Sequence, residues 1–179
     1  MKEVRFVTQN RAKLLELQAK AKSFGLKITQ VDAAYPELQA DTLEEVVRYG
    51  LTFCKRVFPL PLIVEDSGLF VDSLNGFPGP FSSYVYRTIG NLGVVKLVGE
   101  GAHARFESII GCYHHGYKLF RGQVEGAIVS ARGTRGFGFD PIFEYDGRTF
   151  GEMTLEEKNL VSHRSRAAQL FLKWASTNI

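Results

Sequence analysis

Cysteine is scarce in this sequence, and the two that occur, Cys54 and Cys112, lie far apart. They make neither a disulfide framework nor a paired metal-ligand pattern, so a reducing, cytoplasmic setting is expected. No run of about eighteen apolar residues occurs, which leaves no candidate for a membrane-spanning helix. The opening Met1-Lys2-Glu3-Val4-Arg5-Phe6 alternates charge with hydrophobe and lacks the apolar core of an export signal, so export is not expected either. Charge of one sign is not in large excess: the net charge is +3, with Lys and Arg scattered rather than blocked. That excludes a basic tail that tracks nucleic acid, while a mildly basic surface suits a phosphate-bearing small molecule. Internal repeats, low-complexity tracts and linkers are also missing. With 45% hydrophobic residues the chain can bury a substantial core, and residues 1–179 are expected to form one domain.

The hydrophobic pattern that is present reads as alternating strands and helices. Val4, Phe6 and Val7 predict a buried strand; Asn10 then caps a helix carrying Leu14, Leu17 and Ala21, which Gly25 ends. Leu26–Val31 alternates as a second strand, and the spacing of Asp41 and Glu44 suggests a capping box for a helix through Val46, Val47 and Leu51. Leu62-Ile63-Val64 predicts a short core strand that breaks at Glu65-Asp66-Ser67-Gly68 into a functional turn. Phe77-Pro78-Gly79-Pro80 reads as loop and residues 84–98 as broken helix. Two strands around His114-His115-Gly116 form an antiparallel hairpin, which makes the sheet mixed, and a helix bearing Ala167, Leu170, Phe171 and Trp174 follows Ser162.

Four segments carry chemistry. Thr8-Gln9-Asn10-Arg11-Ala12-Lys13 stands at a strand-to-helix turn, where backbone donors and the helix dipole attract phosphate and Lys13 adds a full charge. The alternative is that Thr8 and Asn10 merely cap the helix. Glu65-Asp66 at a strand end offers hard oxygen ligands of the kind magnesium takes, and Glu37, set between Pro36 and the next helix start, is a further candidate ligand or an exposed loop acid. Phe137 and Phe139, with Gly138 between and Asp140 after them, could stack a flat base and read its edge, or the rings could tuck into the core. Lys158, His163 and Arg164 could gather donors around an oxo group or phosphate; basic charge at a helix start opposes the helix dipole, which favours function over a solvated surface. Cys112 and His114 hint at zinc but lack a second ligand pair.

In this order, the segments resemble the inosine triphosphate pyrophosphatase family, the noncanonical purine NTP pyrophosphatases, especially the archaeal-type members. The motifs are Thr8-Gln9-Asn10 through Lys13 and Glu16, Ile63-Val64-Glu65-Asp66-Ser67-Gly68-Leu69, Gly76-Phe77-Pro78-Gly79, Gly136-Phe137-Gly138-Phe139-Asp140-Pro141, and Glu157-Lys158-Asn159 through Ser162-His163-Arg164. Gln9 stands where that family usually has a small residue. The resemblance implies an elongated, two-lobed α/β fold around a long mixed sheet, the nucleotide lying in the cleft between lobes, and a homodimer. It implies hydrolysis of ITP, dITP and XTP to monophosphate and pyrophosphate with Mg2+. Thr8 to Lys13 would then hold the triphosphate, Glu37 and Asp66 the magnesium, and Asp66 would accept the proton of the attacking water. Ser67 would contact substrate, Phe137 to Asp140 would enclose the base, and Lys158, His163 and Arg164 would complete the nucleotide contacts. The rival readings are a Maf-like pyrophosphatase for modified pyrimidine nucleotides and a nucleotide- or RNA-binding regulator without turnover.

Overall fold

The computed structural model describes residues 2–36 and 38–179. Glu37 therefore lies outside the described residues. Strand β1 (Lys2–Val7) runs parallel to β2 (Leu26–Val31) and to β3 (Leu62–Val71), with α1 (Arg11–Ala21) and α2 (Leu43–Cys54) as the crossovers. Beyond β3 the chain makes β4 (Pro78–Gly79), α3 (Ser82–Thr88) and α4 (Gly90–Val98), then the hairpin of β5 (Ala102–Tyr113) and β6 (Tyr117–Ile128). Short β7 (Phe143–Tyr145) and β8 (Arg148–Thr149) lead to α5 (Leu155–Val161) and α6 (His163–Asn178). The sheet order is β2-β1-β3-β5-β6-β7-β8, with β4 on β3; every pairing from β3 onward is antiparallel. The fold is mixed α/β, as the hydrophobic pattern implies.

The lengths of β3, β5 and β6, at 10, 12 and 12 residues, explain the two lobes. A twelve-residue strand reaches about 40 Å, too far for one layer of helices to cover. At one end Val4, Phe6, Ile63 and Ile110 pack beneath α1 and α6, while on the opposite face Leu62, Val64 and Ile109 pack on Val47 and Leu51 of α2. At the other end Leu69, Val71, Phe106, Val124 and Ile128 pack with Phe143 and Phe150. Gly122 lets α6 lie directly on β6: a Cβ there would fall 2.1 Å from the His163 carbonyl oxygen and 2.3 Å from the Ala167 nitrogen. That close approach brings the start of α6 over the middle of β3 and β5, between the lobes.

Several local expectations need correction. The capping box of α2 is Thr42 with Glu45, not Asp41 with Glu44; the threonine hydroxyl accepts from the Glu45 amide, one residue later than the spacing suggested. The Glu65–Gly68 segment is not a turn, because each of its residues pairs with β5 and the strand continues to Val71. Pro78 and Gly79 are strand rather than loop, since a proline can sit on the short edge strand it forms against Leu69 and Phe70. Gly25 does end the first helical segment, with φ at 68° after a short 3-10 turn.

Candidate active site

A cleft of about 950 Å³ opens between the lobes, within the size range of ligand pockets. Its lining includes Thr8, Gln9, Asn10, Arg11 and Lys13 on one side, Asp66 and Ser67 on β3, and Phe137, Gly138, Phe139, Asp140, His163 and Arg164 on the other. Segments separated by more than a hundred residues thus meet at one opening. Ala12 and Lys158 are not among the lining residues; Lys158 is buried beneath the wall.

The α1 end of the cleft is built by local hydrogen bonding. The Asn10 amide donates to Thr8 Oγ1 at 3.0 Å and the Lys13 amide to Asn10 Oδ1 at 3.2 Å, so the capping reading is correct. Capping does not displace the anion reading: the first turn holds no acidic side chain, and its positive end faces the cleft. Gln9 also lines the cleft, and its side-chain amide lies 3.4 Å from Asp32 Oδ1, while the Asn10 cap beside it is intact.

Strand alternation separates the two acids of β3. Asp66 sits opposite Ile109 on the α2 face, half-buried and lining the cleft. Glu65 points to the α1 and α6 face, where Oε2 is 2.8 Å from Lys13 Nζ and Oε1 accepts from Ser108 Oγ at 2.6 Å and Arg164 Nε at 3.2 Å. Burial works to raise its pKa, but Lys13 and Arg164 outweigh burial and hold the carboxyl down at about 2. Both Glu65 oxygens are thus engaged, Oε2 by Lys13 and Oε1 by Ser108 and Arg164.

Arg164 and Lys158 are not solvated helix-end charges. Arg164 Nη1 donates to Glu16 Oε2 at 2.6 Å and Nη2 to Ser67 Oγ at 3.0 Å, and Lys158 Nζ donates to Glu16 Oε1 at 3.1 Å and Asp140 Oδ2 at 2.7 Å. Glu16, Glu65 and Asp140 balance Lys13, Lys158 and Arg164 in one buried chain of ion pairs. These carboxylates supply the compensation that the dipole of α6 withholds from Arg164; Lys158, read from sequence as a helix-start charge, lies instead in the last turn of α5, where the dipole favours a cation. Glu16 is the residue to which sequence reasoning gave no role; the signal that could have found it was the need of two basic residues at buried positions for an acid.

The aromatic loop divides its work. Phe139 is 4% exposed and packs edge-on against Tyr86, with ring centroids 5.6 Å apart, so its ring belongs mainly to the core. Phe137 is half-buried, and its ring lies 4.9 Å from Lys158 Nζ and 5.1 Å from the Arg164 guanidinium carbon, a flat surface backed by cations. Asp140 fixes the loop instead of facing a ligand freely: its Oδ2 accepts the Phe137 amide at 2.8 Å as well as Lys158. Gly136 makes room for that carboxylate, since a Cβ would lie 2.1 Å from Oδ2 and φ is 74°. His163 is 2% exposed and stacks on Phe106, with centroids 4.6 Å apart. Its burial, reinforced by Arg164, Lys158 and Lys13, pushes its pKa well below 6.5, so the ring is neutral, and its Nδ1 has no hydrogen-bond partner among the described residues.

The Ham1 family model matches residues 4–174. The chain belongs to the Ham1 family. Two archaeal proteins similar to this Ham1 chain carry the name dITP/XTP pyrophosphatase: that of Pyrococcus horikoshii is 49% identical, covering 97% of both chains, and that of Methanopyrus kandleri is 44% identical, covering 99% of this chain and 98% of its own. Among solved structures, a HAM1 protein from Coxiella burnetii superposes with a TM-score of 0.84 at 26% identity, covering 98% of this chain and 99% of that one. The resemblance carried by the motifs is borne out.

No group of three or more His, Cys, Asp or Glu side chains among the described residues could hold a metal ion by itself. Among the described residues that line the cleft, Asp66 is the carboxylate outside the Lys13–Lys158–Arg164 ion-pair chain, and such a site fits magnesium, which commonly rests on one or two carboxylates with water and phosphate oxygens completing the shell. Cys112 is buried and belongs to no such group among the described residues, so the zinc hint finds no ligand set there. Among the described residues, no helix is long and apolar enough to cross a membrane.

Proposed function

We propose that this Ham1 chain hydrolyses aberrant purine nucleoside triphosphates, ITP, dITP and XTP, to the monophosphate and pyrophosphate. The observation that carries the reading is the meeting, in one cleft, of the α1 N-terminus with Lys13, the Asp66 carboxylate, and the cation-backed Phe137 with Arg164. The α1 end suits a triphosphate, and the Phe137 end suits a purine. Asp66 lines the same cleft, and in this reading it would act at the α-phosphorus of a nucleotide spanning it.

Asp66, with Glu37, would hold Mg2+, which when bound supplies neutralisation of phosphate charge. Asp66 orients a water molecule and accepts its proton as the water oxygen bonds to the α-phosphorus; the bond from that phosphorus to the bridging oxygen breaks, and pyrophosphate leaves. Thr8, Asn10 and the first-turn amides of α1 hold the triphosphate, and Lys13 adds a donor there. Arg164 orients toward the 6-oxo edge with the donor capacity left over from Glu16, Glu65 and Ser67. An adenine amino group in that position would oppose donor to donor. His163, neutral and without a partner at Nδ1 among the described residues, completes the wall.

We further propose a cytoplasmic homodimer in which residues 1–179 act as a single catalytic unit. Large exposed apolar side chains on α3 and α4, such as Tyr84 and Leu92 at 62% and 66%, support association. The test of function is a panel of ITP, dITP, XTP, GTP, ATP and modified pyrimidine triphosphates with Mg2+ or EDTA, reading monophosphate and pyrophosphate together. Equal yields of both products from ITP and XTP, abolished by EDTA, are expected. Release of orthophosphate, a preference for the pyrimidines, or binding without turnover overturns the reading.

A further inference from the structure

Glu65 holds one cation from each half of the cleft. Lys13 belongs to the first turn of α1, beside Thr8 and Asn10; Arg164 belongs to the first turn of α6, behind Phe137. Their side chains meet on opposite oxygens of one carboxylate, Lys13 Nζ at 2.8 Å from Oε2 and Arg164 Nε at 3.2 Å from Oε1. The carboxylate is itself 1% exposed and fixed by the Ser108 hydroxyl. Lys13, at 15%, is the more open partner.

We propose that Glu65 is a positioning residue that couples the two halves of the site, so that filling the base half strengthens binding in the phosphate half. This rests on the reading of the cleft given above. A ligand that engages Arg164 acts on the Glu65 carboxylate bonded to it, and through that on the ammonium of Lys13, the more open partner, so the placing of that ammonium is met once for both ligands rather than separately. Glu16 and Ser67 hold the other arms of the Arg164 guanidinium, which leaves Glu65 as the direct link from Arg164 to Lys13. Coupling between two ligands is reciprocal: whatever factor one exerts on the other is returned in full. The arrangement thereby lets a correct base improve the grip on the phosphates, and discrimination appears in the phosphate half as well as at the base.

The coupling is measurable with ligands that each fill one half: inosine, which carries base and ribose but no phosphate, and inorganic pyrophosphate, both with Mg2+ present. By isothermal titration calorimetry on the wild-type chain, saturating inosine should lower the pyrophosphate Kd by about fivefold or more, and saturating pyrophosphate should lower the inosine Kd by the same factor. In Glu65→Gln each ligand should still bind alone, but the factor should fall within about twofold of unity. Glu65→Asp keeps the charge and the fold while shortening the reach to both cations, and should also lose the coupling. Independent binding in the wild type, or full coupling in either variant, overturns the proposal. If inosine and pyrophosphate both fail to bind the wild type, the reading of the cleft falls, and the coupling with it.

Discussion

Replacing Arg164 with alanine takes out of the interior a guanidinium bonded to Glu16, Glu65 and Ser67. Glu16 keeps Lys158 and Glu65 keeps Lys13, so neither acid is left bare, but negative charge then exceeds positive in the buried chain. Breaking a buried ion pair from one side costs about 3–5 kcal/mol, and the remaining cations place the expected loss near the lower end, about 3 kcal/mol. That is a large share of the roughly 5–15 kcal/mol that stabilises a domain, and it should lower Tm by about 6–12 °C. Dependence on pH gives a second check. Burial acts to raise the pKa values of Glu65 and Glu16, yet their cations win, holding Glu65 at about 2 and Glu16 below 4.5. A carboxyl whose folded pKa is depressed contributes stability that is present above the unfolded value and is lost as pH falls toward the folded one. Without Arg164 this contribution shrinks. The deficit of the variant should therefore be full near neutrality and narrow as pH falls from 4.5 toward 2. Urea unfolding followed by circular dichroism at a series of pH values measures it. A deficit under about 1 kcal/mol, or one that does not change below pH 4.5, would refute the buried-network account. With the folded fraction known, the ratio of kcat/KM for ITP over ATP should also narrow by about tenfold to a hundredfold, the worth of one charge-assisted hydrogen bond.

Asp66→Asn should retain nucleotide binding in equilibrium dialysis while turnover falls by about a hundredfold or more, since it removes both the proton acceptor and a metal charge; near-normal turnover at saturating Mg2+ would remove Asp66 from the chemistry. His163 is buried neutral with its pKa pushed below 6.5, so it contributes stability above that pH and loses it as pH falls, with a slope of up to about 1.4 kcal/mol per pH unit. His163→Phe, which keeps the stack on Phe106, should flatten the stability profile just below pH 6.5; an unchanged profile would place the titration elsewhere. Gly122→Ala drives a methyl into the backbone of α6, so it should destabilise by about 1–3 kcal/mol and lower kcat/KM by displacing His163 and Arg164. A thermal melt and an ITP assay that both match wild type would show that α6 has more freedom than the contact implies.

By itself, the sequence determined most of the elements and most of the segments that line the cleft. Alternation and capping residues revealed β1, α1, β2 and the β5–β6 hairpin because those signals are local: a period of two, an asparagine before a helical stripe, a glycine after it. The same locality explains the errors at Glu65–Gly68 and at Pro78-Gly79. Glu65–Gly68 is held in the sheet by β5, a partner distant in sequence that leaves no trace in the residues on either side, whereas Pro78-Gly79 folds back on Leu69 and Phe70 at the end of β3, a short edge pairing that its prolines and glycine conceal. What only the tertiary structure decided is how the charged residues are spent. Glu65 and Asp66 look like a matched pair of ligands when read along the chain, yet strand alternation sends them to opposite faces, one into a cage of Lys13, Arg164 and Ser108 and the other toward the cleft. Glu16 acquires its role only because α1 packs against α5 and α6 and so brings an acid to Lys158 and Arg164, more than 140 residues further on. Propensity acts within a few residues, whereas a buried charge is settled by whichever opposite charge the fold brings within about 3 Å, and that choice belongs to packing.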